Sequence, residues 1–400
     1  MRALRVERSV ARFAAARVAA GMRPGGGGHV GLLRYSDVDP LERPGPDWVR
    51  VHPTLSGICG SDLATVDGHS STWFEPIVSF PFTPGHEVVG VDEDGRRVVV
   101  QPVLACQARG ITPPCPACAA GRTNHCVNLT GGHLQPGLQT GYCAETGGGW
   151  SDELVAHRSQ LHPVPDGMTD EAAVLVEPMA CAVHGALAGP GLDGHDLPAG
   201  GELTAVVIGA GTLGLGVIAA LHRYRPDVTT TIAVAKHPEQ RRLAAALGAS
   251  TVAEPAELRR AVRRRTGSWL REDGQLTGGA PIVIDCVGTA ASLSDALAVV
   301  APGGTLVLVG MPGRVTVDLT PLWQREIRLA GAYAYGPEPS QEGRHSFDLS
   351  FELVEAAGLD QLVSAAYPLA RHADAIDHAA AAGRRGATKI VFDLRRDKRR

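Results

Sequence analysis

Three short stretches carry residues that can hold a metal ion. Cys59 lies in GICGSD (57–62), His86 and Glu87 in PGHE (84–87), and Glu177 in LVEP (175–178). A thiolate, an imidazole and a carboxylate suit a tetrahedral Zn²⁺ whose fourth position stays open to water or substrate. A second set is Cys115-x₂-Cys118-x₇-Cys126, with Cys106 upstream as the fourth thiolate and Cys143 as its substitute. Four thiolates close the coordination shell, so such a site contributes folding energy and no catalysis. Cys181 and Cys286 have no partner in view and read as core.

A third motif binds phosphate. The apolar run Val206-Val207-Ile208 ends in Gly209, and Gly211 and Gly214 follow at G-x-G-x-x-G spacing with Thr212 and Leu213 between them. Small and aliphatic residues continue to Leu221 at helical spacing. Strand, glycine turn and helix open a dinucleotide-binding unit: Gly209 allows the tight turn, Gly211 the approach of a pyrophosphate, Gly214 close helix packing. The helix N-terminus then offers unpaired N–H groups to the phosphates. The NAD-binding version places an acid at the end of the next strand, to hold the ribose hydroxyls. That end reads Ala235-Lys236-His237, with no acid and with Lys236 and His237 added, which favours NADP over NAD.

Around these motifs the chain changes texture twice. Residues 1–50 hold a strand-like start, a short Ala/Arg helix from Val10 to Ala20, and a loop at Pro24 and Gly25 to Gly28. From the strand Trp48 to Leu55 to about 175, short strands broken by Gly and Pro read as an irregular β-domain. Strand-like runs at 204–208, 230–235, 282–286 and 305–309 then alternate with helical segments at 214–222, 239–247, 255–265 and 292–300. That alternation predicts an α/β unit with a parallel sheet. A short terminal strand closes the chain at Thr388 to Phe392.

At 400 residues the chain suits two domains, and its 44% hydrophobic content fits a globular protein. A net charge of −4 offers no general attraction to nucleic acid or an anionic membrane. The basic tail 395–400 reads as solvated. The apolar stretch 203–221 is long enough to span a membrane, but its fingerprint glycines argue against that. Arg2, Arg5, Glu7 and Arg8 leave no secretory signal at the N-terminus, so a cytoplasmic protein is expected. Eight cysteines in such a chain point to metal or catalysis more than to disulfides.

GICGSD, PGHE, the cysteine loop, LVEP and GAGTLG occur in this order, followed by REIRLAG (325–331) and the final KIVF strand. Together they resemble the zinc-dependent medium-chain dehydrogenases of the alcohol, polyol and threonine group. The resemblance implies a GroES-like catalytic domain at about 1–180 and 331–400 and a Rossmann domain at 181–330, with the active site in the cleft between them. It makes Cys59, His86 and Glu177 the catalytic zinc ligands, Glu87 a neighbour that can exchange onto the metal, and Asp62 the carboxylate that orients His86. Ser61 accepts the substrate's hydroxyl proton. Where the family often has a histidine to pass that proton outwards this chain has Ala64, leaving His69 or ordered water to replace it. A structural zinc in the cysteine loop brings the expected total to two per chain.

The implied activity is hydride transfer between a secondary alcohol or polyol, or the matching carbonyl, and NADP or NAD, in a homodimer or homotetramer. One alternative keeps the fold for reduction of an activated alkene or quinone; another, of a different class, keeps the Rossmann unit for non-catalytic nucleotide sensing; the retained metal ligands argue against both. Trp73, Phe74 and Trp150 are candidates for lining the substrate pocket or for loop packing.

Overall fold

Along Trp48–Gly57 the valines, leucine and tryptophan alternate with half-buried polar residues, the period of a strand buried on one face. This strand organises the first unit of the computed structural model, which describes residues 1–188 and 203–395. Its sheet runs Val363–Tyr367, Lys389–Asp393, Trp48–Gly57, Val88–Asp92, Arg97–Val100, Leu161–Pro163, with Leu154–His157 paired to the first half of Trp48–Gly57. The register matters for function. Gly57 lies opposite Val391, Ser56 opposite Val88, and the Gly57 N–H donates to Glu87 O at 2.8 Å. The residues just beyond the end of one central strand therefore meet those just before its two neighbours: Cys59, His86 with Glu87, and Lys389.

The N-terminal strand Arg2–Val6 pairs with Leu33–Asp37, and the helix between them, Val10–Met22, starts at Ser9, whose Oγ accepts from Arg12 N. Ala16 and Ala19 face inward. The glycines after this helix reach the back of the helix Gly60–Val66, where the buried Asp67 carboxylate accepts from Gly25 N (2.9 Å) and Gly27 N (3.0 Å). A Cβ at Gly27 would collide with the Val66 carbonyl, so the contact requires glycine.

The second unit is built on six parallel strands ordered Thr251–Ala253, Val228–Val234, Leu203–Ile208, Ala280–Asp285, Val300–Leu308, Arg328–Gly331. In chain order they stand 3-2-1-4-5-6, the doubly wound order whose topological switch point binds dinucleotides. Helices Thr212–Tyr224, Pro238–Ala246, Leu258–Thr266 and Ala290–Val299 connect them. The apolar stretch 203–221 is thus a strand, the glycine turn and a helix. No helix among the described residues is long and apolar enough to cross a membrane.

The boundaries differ from the expected ones in one stretch. The compact units are 1–177 with 358–400, and 178–357, so residues 331–357 go with the second unit rather than the first. Packing explains the difference: Phe347, Leu349 and Leu353 of the helix Ser346–Ala356 are fully buried, Tyr224 donates to Leu349 O (2.7 Å), and Glu338 accepts from His184 (2.8 Å). Of the basic tail only Arg395 is a described residue, and it pairs with Asp393 and Glu171; 396–400 lie outside.

Candidate active site and metal centres

Cys59 caps the helix Gly60–Val66, and Asp62 folds back to accept from its N–H (2.9 Å). The other Asp62 oxygen faces His86 Nδ1 at 3.5 Å. One fully buried carboxylate thus fixes both the strand exit that carries the thiolate and the ring that carries the imidazole. The ligand atoms of Cys59, His86 and Glu87 all lie within 4.8 Å of one another. Glu177 is not part of this tight cluster. It is buried beside it, at the start of the helix Val176–Leu187, and its carboxyl is pushed up to about 7 by burial and by the Glu87 charge, against the pull of His86 and Lys389.

Glu87 takes the closer position because of Lys389. The buried Nζ forms an ion pair with Glu87 Oε2 and donates to Ile58 O (3.2 Å). Gly57 makes room for the pair, since a Cβ there would collide with the Glu87 carboxylate. Three buried carboxylates, Asp62, Glu87 and Glu177, and the Cys59 sulfur therefore share a small volume with one ammonium. Burial opposes charge on His86, yet Asp62 and Cys59 hold its pKa well above the ordinary value. The site demands positive charge, and a divalent zinc ion on Cys59, His86 and a glutamate answers that demand.

The cysteine loop fits a metal more directly. Cys106, Cys115, Cys118 and Cys126 converge within 4.8 Å, and the Cys106 and Cys126 sulfurs are 3.7 Å apart. Tetrahedral zinc with Zn–S bonds of about 2.3 Å requires S···S edges of about 3.8 Å. Asn128 donates to both of these sulfurs, through Nδ2 to Cys106 (3.2 Å) and N to Cys126 (3.4 Å). The backbone N–H groups of Cys118 and Val127 lower Cys115 to about 6, whereas burial raises the neighbouring thiols of Cys118 and Cys126. The long gap after Cys106 is taken up by Arg109, fully buried, which donates to the carbonyls of Leu104, Gly131 and Gly137. Cys143 is buried outside the cluster, its sulfur facing Gln135 O.

In the second unit the glycine turn is shaped for a phosphate. Gly209 adopts φ 94°, a Cβ at Gly214 would collide with the Gly209 carbonyl, and a Cβ at Gly211 would meet only open space. No side chain caps the helix Thr212–Tyr224, so its N–H groups beyond Gly211 stay available to an anion. Cys286 and Val287, at the end of Ala280–Asp285, close against this turn and form the other wall of the switch-point crevice. At the next strand end Ala235 is buried and Lys236 exposed. Arg241 reaches back to donate to the Ala235 (3.3 Å) and Lys236 (3.0 Å) carbonyls and also pairs with Glu254.

Family profiles match both units: "Alcohol dehydrogenase GroES-like domain" over residues 45–166 and "Zinc-binding dehydrogenase" over 212–350. The chain belongs to the zinc-dependent medium-chain alcohol and polyol dehydrogenases. It is 25% identical to a sorbitol dehydrogenase of Arabidopsis thaliana, over 88% of this chain and 89% of that one. It is 26% identical to D-arabinitol dehydrogenase 1 of Uromyces fabae, over 83% and 86%. Among solved structures it is similar to a zinc-binding dehydrogenase from Sinorhizobium meliloti 1021 bound to NADP, with TM-score 0.67 and 25% identity over 90% of this chain and 95% of that one. The first unit is accordingly a GroES-like domain and the second a Rossmann domain, and the protein is a zinc- and nicotinamide-dependent oxidoreductase.

Within this zinc dehydrogenase, several residues absent from the sequence expectations stand at the site. Lys389 is one; its only sequence signal is a lysine opening an apolar terminal strand. Tyr142 is another: its hydroxyl lies 3.5 Å from Asp62 Oδ1, its ring is 5.9 Å from that of His86, and burial and the Asp62 charge raise its pKa. Nothing in the sequence around Tyr142 marks it. Of the candidate pocket aromatics, Trp150 is core: it is fully buried, donates to Gly57 O (3.1 Å) and meets Phe392 edge-on. Trp73 is 78% exposed and Phe74 partly so.

Proposed function

We propose that this enzyme oxidises secondary alcohols of the polyol type, and reduces the matching ketones, with NADP preferred over NAD and two zinc ions per chain. The observation that carries the reading is the convergence of Cys59, His86 and Glu87, with Glu177 and Asp62 beside them, at the meeting of three strand ends. Cys59, His86 and Glu177 or Glu87 hold the catalytic ion, and Cys106, Cys115, Cys118 and Cys126 hold the structural one. Bound zinc supplies Lewis acidity that eases loss of an alcohol's proton near neutral pH, and the nicotinamide accepts the hydride.

The chain's own residues do the rest. Asp62 orients the His86 ring and the Cys59 strand exit. Lys389 restrains Glu87 and balances part of the buried charge. Ser61, two residues beyond Cys59 and half-buried, takes the substrate's hydroxyl proton. Gly209, Gly211, Thr212, Leu213 and Gly214 cradle the pyrophosphate. Ala235, Lys236 and His237 receive the adenosine ribose, with Arg241 as a second cation beside them.

NADP preference is supported by the missing acid at Ala235, by Lys236, and by the similar Sinorhizobium structure solved with NADP. A polyol substrate is supported by the sorbitol and arabinitol dehydrogenase relatives. Eight cysteines, none of them in a disulfide, suit a reducing compartment, which supports the cytoplasm. A homodimer or homotetramer is supported by exposed Trp323, Leu329 and Tyr333 at and beside the edge strand Arg328–Gly331, apolar surface that a second copy would cover. The test is elemental analysis of freshly purified protein together with turnover of sorbitol, arabinitol and butane-2,3-diol with each cofactor. Two zinc ions and NADP-dependent oxidation are expected, and active protein without zinc would overturn the assignment.

A further inference from the structure

A proton taken by Ser61 has to reach water, and Ala64 offers no group to carry it. The helix Gly60–Val66 places a hydroxyl one turn on from Ser61: Thr65, on the same face by i, i+4 spacing. Thr65 Oγ1 lies 3.0 Å from Ser61 O, 2.9 Å from Ser70 Oγ and 3.5 Å from the Tyr142 hydroxyl. The Ser61 side chain stands near enough to the Tyr142 hydroxyl to stabilise its charged form, against the larger effects of burial and the Asp62 charge. Thr65 is buried, and Ser70 is exposed. We propose that the substrate's proton leaves along this file of hydroxyls, from Ser61 to Tyr142 to Thr65 to Ser70 and into solvent. The inference rests on the assignment of Ser61 as proton acceptor.

The balance is simple. The substrate O–H bond breaks and its proton goes to Ser61 Oγ, which releases its own to Tyr142. Tyr142 and then Thr65 do the same, and Ser70 gives a proton to water. The carbon's hydride, with its electron pair, goes to the nicotinamide, so each hydroxyl ends as it began. Thr65 has a single proton, which at rest points to the Ser61 carbonyl. Ser70 Oγ is equally near, so one rotation turns the donor outwards. The 3.5 Å step at Tyr142 is long for an O–H···O bond, as unliganded catalytic hydrogen bonds commonly are.

Two other exits fail on the same geometry. Asp62 is within reach of Tyr142 but fully buried, so a proton there goes no further. His69 is exposed, but its contact with this region is its backbone N–H, which closes a turn on Ala64 O (2.7 Å). Tyr142 is held in place by its ring packing on Phe82 at 5.3 Å and by its carbonyl accepting from Ser79 N (3.4 Å). Tyr142, Thr65 and Ser70 act through Ser61 and are positioning residues for its proton.

The experiment uses the full chain, zinc-loaded, oxidising butane-2,3-diol with NADP or NAD in H₂O and D₂O, with and without imidazole as a mobile proton carrier. Tyr142→Phe keeps the ring and removes the hydroxyl. Its kcat should fall about 10- to 100-fold, with KM and zinc content held and the solvent isotope effect on kcat increased. Imidazole should restore part of the rate. Thr65→Val should behave the same way, and Thr65→Ser should recover most of what the valine loses. A Tyr142→Phe enzyme with wild-type kcat and isotope effect, or one whose loss imidazole does not touch, overturns the relay while leaving the dehydrogenase assignment intact. A zinc-loaded wild type that oxidises no secondary alcohol overturns that assignment, and the relay with it.

Discussion

Ser61 and Ala235 make opposite kinds of contribution, one by the group it carries and the other by the group it lacks. On the proposed reading the Ser61 hydroxyl handles the substrate's proton and does not hold the cofactor, so Ser61→Ala should lower alcohol oxidation by about 100-fold or more while cofactor affinity stays near wild type. Stopped-flow hydride transfer beside cofactor titration checks this, and near-normal turnover would show that another group takes the proton. At Ala235 a carboxylate would bond the ribose hydroxyls of NAD and repel a 2′-phosphate. Lys236 adds a point charge, but an exposed ion pair is worth only about 0.2–1 kcal/mol, and nearby Arg241 is already shared with Glu254. Ala235→Asp should therefore move the NADP/NAD ratio of kcat/KM further than Lys236→Ala, which should weaken NADP use by a few-fold. A wild type that prefers NAD, unmoved by Ala235→Asp, would misplace this strand end.

Elements explain why those residues meet, and here the sequence was legible to different depths. The second unit could be read strand by strand, because apolar β-branched runs alternate with Ala-rich helices and each local preference agrees with the sheet. The convergence of Cys59 with His86 and Glu87 came only from the family resemblance and from no local pattern, because it depends on sheet register, with Ser56 opposite Val88 and Gly57 opposite Val391. Lys389 and Tyr142 stayed hidden for the same reason: single polar residues in apolar or glycine-rich surroundings, given meaning only by their partners. The N-terminal segment was legible as a helix and a glycine loop, but not as a brace for the helix that carries Cys59, Ser61 and Asp62. Asp67 makes that brace with two N–H···carboxylate bonds in a buried position. Asp67→Ala leaves both donors unpaired and should cost about 1–3 kcal/mol in urea unfolding. If stability did not change, the N-terminal segment would be shown not to brace this helix.

At the scale of the whole molecule the two proposed metal centres should fail differently. The proposed catalytic cluster draws on Cys59, His86 and Glu87 at separate strand ends of an already hydrogen-bonded sheet and on Glu177 at a helix start, so the fold around it should persist without the ion. The cysteine loop has less: residues 106–137 contain only the short helices Pro116–Ala119 and Thr123–His125, held by Arg109, the sulfur cluster and the packing of Ala108 and Leu134 with Trp48 and Leu104. A closed four-thiolate site of this kind contributes its binding energy to folding. Cys59→Ser should therefore abolish turnover and remove one zinc while leaving the melting temperature nearly unchanged. Cys115→Ser should remove the other zinc and lower the melting temperature. Graded chelation of the wild type should show the same order: activity disappears with the first zinc, taken from the site that keeps an open position, and the thermal transition moves only with the second. Zinc content, activity and melting temperature followed on the same samples check this. Simultaneous loss of activity and fold with the first zinc would mean that the two sites have been given each other's roles.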